Sequence, residues 1–349
     1  MRTLMVINDT SIENHFGCQR VMSVLDEILS SHNIKYRYFV GEDFLLDPGF
    51  KDKVLECDSF IINGEGTIHH DRFFAVRLIE VAENIKSIKS NAKVSLINCT
   101  IQCMDEVYLK KLSFFDHVYV REGYSLKYVQ PFYKNVKRVP DLSFYFSSDN
   151  TSFDSTRNGI PAITSSVDVR KTVKLKALAL LKKYRFAKIH FDGNRFFSHI
   201  SPEKRHIKLI NRLLKLIDIK YTKTVIYWRF YELVNKVLNF FVVPIQVDNH
   251  FDFQKDISQR SFLISGRFHA TCMALGAITP VFSIKSNSYK TEAVLSDIGL
   301  DLSRFILDSN DLFKKNLLNV EYTNEEVVLI NSYLSTARPL IKNMFYEIV

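Results

Sequence analysis

The stretch from Phe262 to Ile284 reads FLISGRFHATCMALGAITPVFSI. Its apolar opening predicts a strand, and its small-residue continuation predicts a helix, with Gly266, Arg267 and His269 at the junction. The first turn of a helix has free backbone N–H groups and a partial positive charge, so a strand–loop–helix unit attracts anions there. Gly266 lets a backbone approach closely, Arg267 adds a planar cation, and His269 places a proton-transfer group in the first turn. The competing reading is that Arg267 pairs with a structural carboxylate while His269 caps its own helix. The next strand, TPVFSI, runs into KSNSYKTEAV, which crowds Lys285, Ser286, Asn287, Ser288 and Lys290 around a second helix start. Two adjacent loops rich in donors make a better phosphate cradle than either alone.

The N-terminal half supplies loops of similar kind. INGEGTIHHD leaves a strand at Asn63, with Gly64 and Gly66 flanking Glu65, and with Thr67, His69, His70 and Asp71 beyond. A full dinucleotide fingerprint is absent because position 69 is His where a third glycine belongs, so NAD is not expected. The glycines instead suit close approach to a sugar, with Glu65 as a carboxylate in the cleft; a tight turn with a solvated glutamate is the plainer alternative. The loop NDTSIENHFGCQRVM carries Asn8, Asp9, Thr10, Asn14, His15 and Gly17, residue types that serve turns as readily as ligands. Arg121 and Asp141 each follow a predicted strand and are open to a structural role, Arg121 being the better suited to touch an anion. Metals find little support: His69 and His70 diverge by about 100° on a helix, and Cys99 with Cys103 has no second ligand pair at zinc-site spacing. GxSxG, P-loop and HExxH motifs are all missing. No cofactor and no metal are expected.

These loops need strands to hold them. Candidate strands at Leu4 to Asn8, Tyr36 to Val40, Ser59 to Asn63, Val94 to Asn98, His117 to Val120 and Val136 to Val139 alternate with helix-length amphipathic runs, which predicts a parallel sheet covered on both faces over residues 1–146. The polar run at 147–158 reads as a linker. A second alternation over 159–320, with strands at IPAITSSV, AKIHFDG, VPIQV, SFLIS and TPVFSI, predicts a second lobe. The fold class expected is α/β, two Rossmann-like lobes facing across a cleft. The tail, 321–349, opens at Thr323 and Glu326 with capping-box spacing and is expected to stay helical to about Ser335.

The 349 residues, 46% apolar, suffice for two cores. A net charge of +9, from 47 basic and 38 acidic residues, favours anionic partners. Five irregularly spaced cysteines read as reduced thiols of a cytosolic protein. The opening apolar run is too short for a signal peptide, and none reaches the roughly 18 residues of a membrane span. The segment 203–243 departs from the alternation: Glu203 to Lys236 carries nine basic residues and three acids among aliphatic and aromatic ones. It reads as a surface helix with a solvated basic face, or as peripheral contact with an anionic membrane; nucleic acid is not expected.

Together these motifs resemble the polysaccharide pyruvyl transferase family: NDTSIENHFGCQRVM after the first strand, NGEGTIHHD at the glycine-rich loop, REGYSLKYV followed by VPDLSF, and above all SGRFHATCMALGAITPVFSIKSNSYK. The resemblance spans about residues 4 to 300 and leaves 203–243 unmatched. It implies a GT-B-like fold and a transferase of bacterial surface polysaccharide biosynthesis that moves the enolpyruvyl unit of phosphoenolpyruvate onto two sugar hydroxyls. The Arg-x-His motif of that family contacts the donor and corresponds here to Arg267 and His269. The implied donor site comprises Gly266, Arg267, Lys285, Ser286, Asn287, Ser288, Lys290 and Arg121, with His269, Arg267 and Glu65 catalytic. The acceptor, a glycan that is lipid-linked in many such pathways, falls to Asn8, Asp9, Asn14, His15, Asn63, Gly64, Gly66, Thr67 and His69. Glu65 stands where the family often has a plain glycine. Glycosyltransferases with nucleotide-activated sugars, CMP-ketosugars included, are the alternative, and a non-catalytic glycan or nucleic-acid binding module is the second. The expected location is the cytoplasm, with 203–243 holding the enzyme against the inner face of the membrane.

Overall fold

The computed structural model describes residues 3–11, 15–32, 35–39, 47–145, 157, 159–187, 189, 219–308, 312, 313 and 320–349. Apart from residue 157, the expected linker lies outside these, as do 203–218 of the basic segment and the candidate Asn14. Two all-parallel sheets form the two lobes. The first has the order β2-β1-β3-β4-β5-β6, from β1 (Thr3–Ile7), β2 (Lys35–Phe39), β3 (Ser59–Asn63), β4 (Lys93–Cys99), β5 (His117–Val120) and β6 (Val136–Arg138). The second has the order β11-β10-β9-β7-β8, from β7 (Ala162–Thr164), β8 (Arg185–Ala187), β9 (Leu263–Ser265), β10 (Val281–Ile284) and β11 (Ile306–Leu307).

Inner strands such as β1 (TLMVI) and β3 (SFIIN) are apolar at successive positions because the sheet is covered on both faces. Met5, Ile7, Phe60, Ile62, Leu96 and Val118 point to one side, where helix α3 (Phe73–Ile88) buries Leu78, Ile79, Ala82 and Ile85. Leu4, Val6, Ile61 and Ile97 point to the other and meet Val21, Val24, Leu25 and Ile28 of α1 (Phe16–Ser31).

Expectation and structure differ in two places. Among the described residues the VPIQV run forms an isolated bridge in place of a strand, Phe186 N–H donating to Val243 O at 2.9 Å and Ile245 N–H to Phe186 O at 3.0 Å on either side of Pro244. Most of the run AKIHFDG, where a strand is expected, lies outside the described residues; its first residue, Ala187, ends β8. The last helix does not stop near Ser335. It is continuous over Asn324–Ile348 with Pro339 inside it, starting from the predicted capping box, in which Glu326 N–H donates to Thr323 Oγ1 at 3.2 Å and Thr323 N–H to Glu326 Oε2 at 2.8 Å.

That terminal helix joins the lobes. Ile330, Tyr333 and Ala337 sit in the core of the second lobe, whereas Ile341, Met344, Phe345 and Ile348 sit in the core of the first. Polar contacts add to it: Gly123 N–H and Arg138 both reach Asp297, at 2.8 and 2.9 Å, and Tyr289 N–H donates to Gln102 at 2.9 Å. The start of α1 also packs on the second lobe, so tightly that a Cβ on Gly17 would stand 2.2 Å from Cβ of His269.

Two substitutions test this construction. Phe345→Ala should cost about 3–5 kcal/mol in chemical denaturation, although the residue is four from the chain end; a cost near zero would mean that the terminal helix does not dock. Gly17→Ala should cost about 1–3 kcal/mol through overpacking and shift the His269 imidazole resonances; unchanged resonances would contradict the contact.

Candidate functional site

A cavity of about 290 Å³ lies where the carboxyl ends of both sheets meet, the ligand position of open α/β folds. The first lobe contributes Thr10 after β1, His15 and Cys18 at the start of α1, Glu65, Gly66, Thr67, His69, Arg72 and Phe74 after β3, and Arg121 after β5. The second contributes Val167 after β7, Arg267, Phe268 and His269 after β9, and Ser286, Asn287 and Lys290 after β10. Arg72, Arg121, Arg267 and Lys290 thus face a single wall carboxylate, Glu65.

Arg121 is almost wholly buried and its guanidinium is shared out edge by edge. Nε donates to Thr100 Oγ1 at 2.9 Å, Nη1 donates to Asp141 Oδ2 at 2.7 Å, and the flat face lies 4.2 Å from the Phe268 ring centre. Nη2 turns toward Gly66, where an added Cβ would come within 3.0 Å both of it and of Lys290 Nζ. Gly66 is therefore needed for space: it leaves two cations a common opening onto the cavity.

Lys290 occupies the first position of helix Lys290–Ile298, buried, with Nζ 3.5 Å from Asn287 Oδ1. Burial, and then the charges of Arg121 and Arg267, lower its ammonium from the ordinary range to about 7. An anion in the cavity would favour the protonated form, since its charge counters those of Arg121 and Arg267.

His269 lies in the first turn of helix Phe268–Gly276, whose N-cap is Arg267, so it does not cap its own helix. Its Nε2 is buried and has no hydrogen-bond partner among the described residues; Asp141 Oδ2 lies at 3.6 Å and Glu65 Oε2 at 4.0 Å. Burial opposes the charge on Asp141, but His269 and Arg121 outweigh it and hold the carboxyl far below its usual range. His15 lies edge-on to His269, ring centres 5.9 Å apart. As N-cap of α1 it accepts the Gly17 N–H on Nδ1 at 3.1 Å, which leaves its proton on Nε2. Burial, reinforced by Arg267, keeps this imidazole neutral.

Glu65 is held in a left-handed backbone conformation, φ 42°, where a non-glycine residue is strained. Its carboxylate accepts from Thr10 Oγ1 at 2.6 Å and Asn63 Nδ2 at 3.3 Å, and Cys18 Sγ approaches to 3.6 Å. The side chain is thereby fixed toward His269.

The wall therefore contains Glu65, Gly66, Thr67, His69, His15, Arg121, Arg267, His269, Ser286, Asn287 and Lys290 from the expected set. Others of that set are used elsewhere. Asn8 and Asn63 bond to each other, Nδ2 of Asn8 donating to Asn63 O at 2.6 Å, and Asp9 accepts from Ser11 N–H. Gly64 packs against Cys99, and Gly266 against the Ser165 carbonyl, where a Cβ would stand at 2.7 Å. Lys285 is exposed; its carbonyl accepts from Lys171 Nζ and its N–H donates to the Leu307 carbonyl. Ser288 is buried outside the wall. Arg72 and Phe268 were not anticipated at the site. Burial also holds His69 neutral, its imidazole lowered to about 4.

His15, Cys18 and His269 bring one possible ligand atom each within 4.8 Å of one another. The α1 cap already occupies Nδ1 of His15, and Arg267 and Lys290 press positive charge on the same space. The residues fit an anion better than a metal cation.

Comparison with solved structures supports the fold. The chain is similar to UDP-GlcNAc 2-epimerase from Neisseria meningitidis bound to UDP-GlcNAc, with TM-score 0.56 and 10% identity over 99% of this chain and 100% of that one. It is also similar to the Methanocaldococcus jannaschii UDP-GlcNAc 2-epimerase in complex with UDP-GlcNAc and UDP, with TM-score 0.51 and 11% identity over 96% and 100%. The architecture is GT-B-like, and at these identities the likeness concerns the fold alone. Curated protein sequences give no match. The family model for polysaccharide pyruvyl transferase does match, over residues 16–288, which takes in the cavity wall of both lobes except Thr10, His15 and Lys290. The chain belongs to the polysaccharide pyruvyl transferase family.

Proposed function

We propose that this protein transfers the pyruvyl unit of phosphoenolpyruvate to two hydroxyls of one sugar in a bacterial surface polysaccharide, forming a cyclic ketal and releasing phosphate. The observation that carries this reading is the wall of four cations, with one carboxylate and one buried imidazole nitrogen that makes no hydrogen bond among the described residues. Phosphoenolpyruvate bears a phosphate and a carboxylate, and Arg121, Arg267 and Lys290 suit two such groups.

In the proposed reaction His269 Nε2 gives a proton to the methylene carbon, making the adjacent carbon electrophilic. One sugar hydroxyl adds to that carbon and loses its proton to Glu65. The carbon–oxygen bond to phosphate then breaks, the cations stabilising the departing oxyanion, and the second hydroxyl completes the ketal. Each hydroxyl loses one proton, the methyl group gains one, and phosphate carries away the other. The strained Glu65 suits this reading: glycine would take the backbone conformation without cost, so the carboxylate is retained at an energetic disadvantage. The first lobe, with Thr67 and His69, is the proposed acceptor side, and the cytoplasm the proposed location. Among the described residues no helix is long and apolar enough to cross a membrane.

Two measurements test the proposal. Phosphoenolpyruvate at a hundred times its Kd should stabilise the folded chain by about 2.7 kcal/mol, seen as a melting shift of a few degrees that Arg267→Ala abolishes. A shift with UDP or CMP and none with phosphoenolpyruvate would replace the donor by an activated sugar. The second concerns pH. Only the protonated Lys290 attracts the donor, and its ammonium titrates near 7 in the empty site. The KM for phosphoenolpyruvate should be flat below that pH and rise by up to tenfold per unit above it. Lys290→Arg, charged throughout, should remove the rise; a rise that persists would acquit Lys290.

A further inference from the structure

The helix Ile219–Leu238 packs one face on the second lobe and turns an apolar one outward. On the inner side Lys176, buried in helix Val169–Lys182, donates to the Asn235 carbonyl at 3.0 Å and to Asn239 Oδ1 at 2.5 Å. At 100° per residue, Phe230, Leu233 and Val237 fall within about 60° of one another and opposite Asn235. All three are exposed, Phe230 at 59% and Leu233 at 62%. Past the helix end, Phe240 and Phe241 donate their N–H groups to the carbonyls three residues back, which prolongs the coil by a tight turn, and both rings remain exposed, at 88% and 65%.

So many large apolar side chains on one outward face mark an interaction surface. Charge indicates its partner. Arg229 and Lys236 are exposed and border the stripe about 100° to 120° round from Asn235. From residue 219 to 243 there are four lysines and arginines and a single acid, Glu232, in a chain of net charge +9. Phenylalanine and leucine over a basic border match a bilayer of anionic lipid, in which rings enter the acyl boundary while the cations meet headgroup phosphates.

We infer that the face built by Phe230, Leu233, Val237, Phe240 and Phe241, with Arg229 and Lys236 at its border, docks the protein on an anionic lipid surface. The anchor is peripheral and separate from the cavity, so it does not depend on which donor the cavity takes.

Co-sedimentation of the full chain with vesicles tests it. Wild type should bind phosphatidylcholine vesicles containing phosphatidylglycerol and bind pure phosphatidylcholine at least tenfold less. Joint Phe240→Ser and Phe241→Ser should weaken binding at least tenfold with an unchanged melting temperature, since both rings are exposed. Joint Arg229→Gln and Lys236→Gln should weaken it roughly 25-fold, about fivefold per charge. Absence of wild-type binding to the anionic vesicles, or equal binding by the serine variant, overturns the inference. So does a concentration-dependent dimer that the serine variant abolishes without any vesicle binding, which would assign the face to a second copy of the chain.

Discussion

The buried ion pair between Arg121 and Asp141, 2.7 Å apart with neither group more than 1% exposed, is the constraint on which the site rests. Two charges in so dry a place are costly unless every remaining lone pair and proton is used. Here Thr100 takes the guanidinium Nε–H, Ser143 N–H and Oγ–H both serve Asp141 Oδ1, and Phe268 covers the flat face. Asp141 then reaches past the first lobe to within 3.6 Å of His269, the proton-transfer candidate of the second. One carboxylate thus fixes a cation of the cavity wall and, lying 3.6 Å from His269 Nε2, brings the two lobes together. Removing it would leave Arg121 buried without its counter-charge beside Lys290 and Arg267.

The rest of the molecule keeps those parts in register. The terminal helix places Ile330 and Phe345 in different cores, so the lobes are held by apolar burial as well as by Asp297 and Tyr289. His269 sits against Gly17 with no room for a methyl group, which makes the start of α1 a gauge of lobe separation. Such a frame can hold Glu65 in a strained conformation, because Thr10 and Asn63 secure its carboxylate from neighbouring loops.

Much of this was legible in the residues. The six strands of the first lobe and the βα junction at Gly266 to His269 follow from periodicity, and their carboxyl ends assemble the cavity. Pairing was not legible. Asn8 and Asn63, typical ligand residues by type, use their side chains on one another across 55 positions of chain. Lys285 and Lys290 are equivalent by spacing, yet the first is exposed while the second is buried, because only position 290 opens the helix that faces Arg121 and Gly66. Asp141 could be read as structural or functional; the structure makes it both neighbour to His269 and support of Arg121. The last helix runs on past Ser335 and through Pro339, because burial on both sides of the proline overrides its local preference.

In the proposed reaction the opening between Arg121, Lys290 and His269 receives an activated, anionic three-carbon donor. A crystal structure of the protein grown with phosphoenolpyruvate tests it most directly. The account predicts phosphate oxygens about 3 Å from Lys290 Nζ and Arg121 Nη2 above Gly66, with the methylene carbon turned toward His269 Nε2. Phosphoenolpyruvate bound outside this cavity, or an empty cavity at saturating concentration, would contradict it.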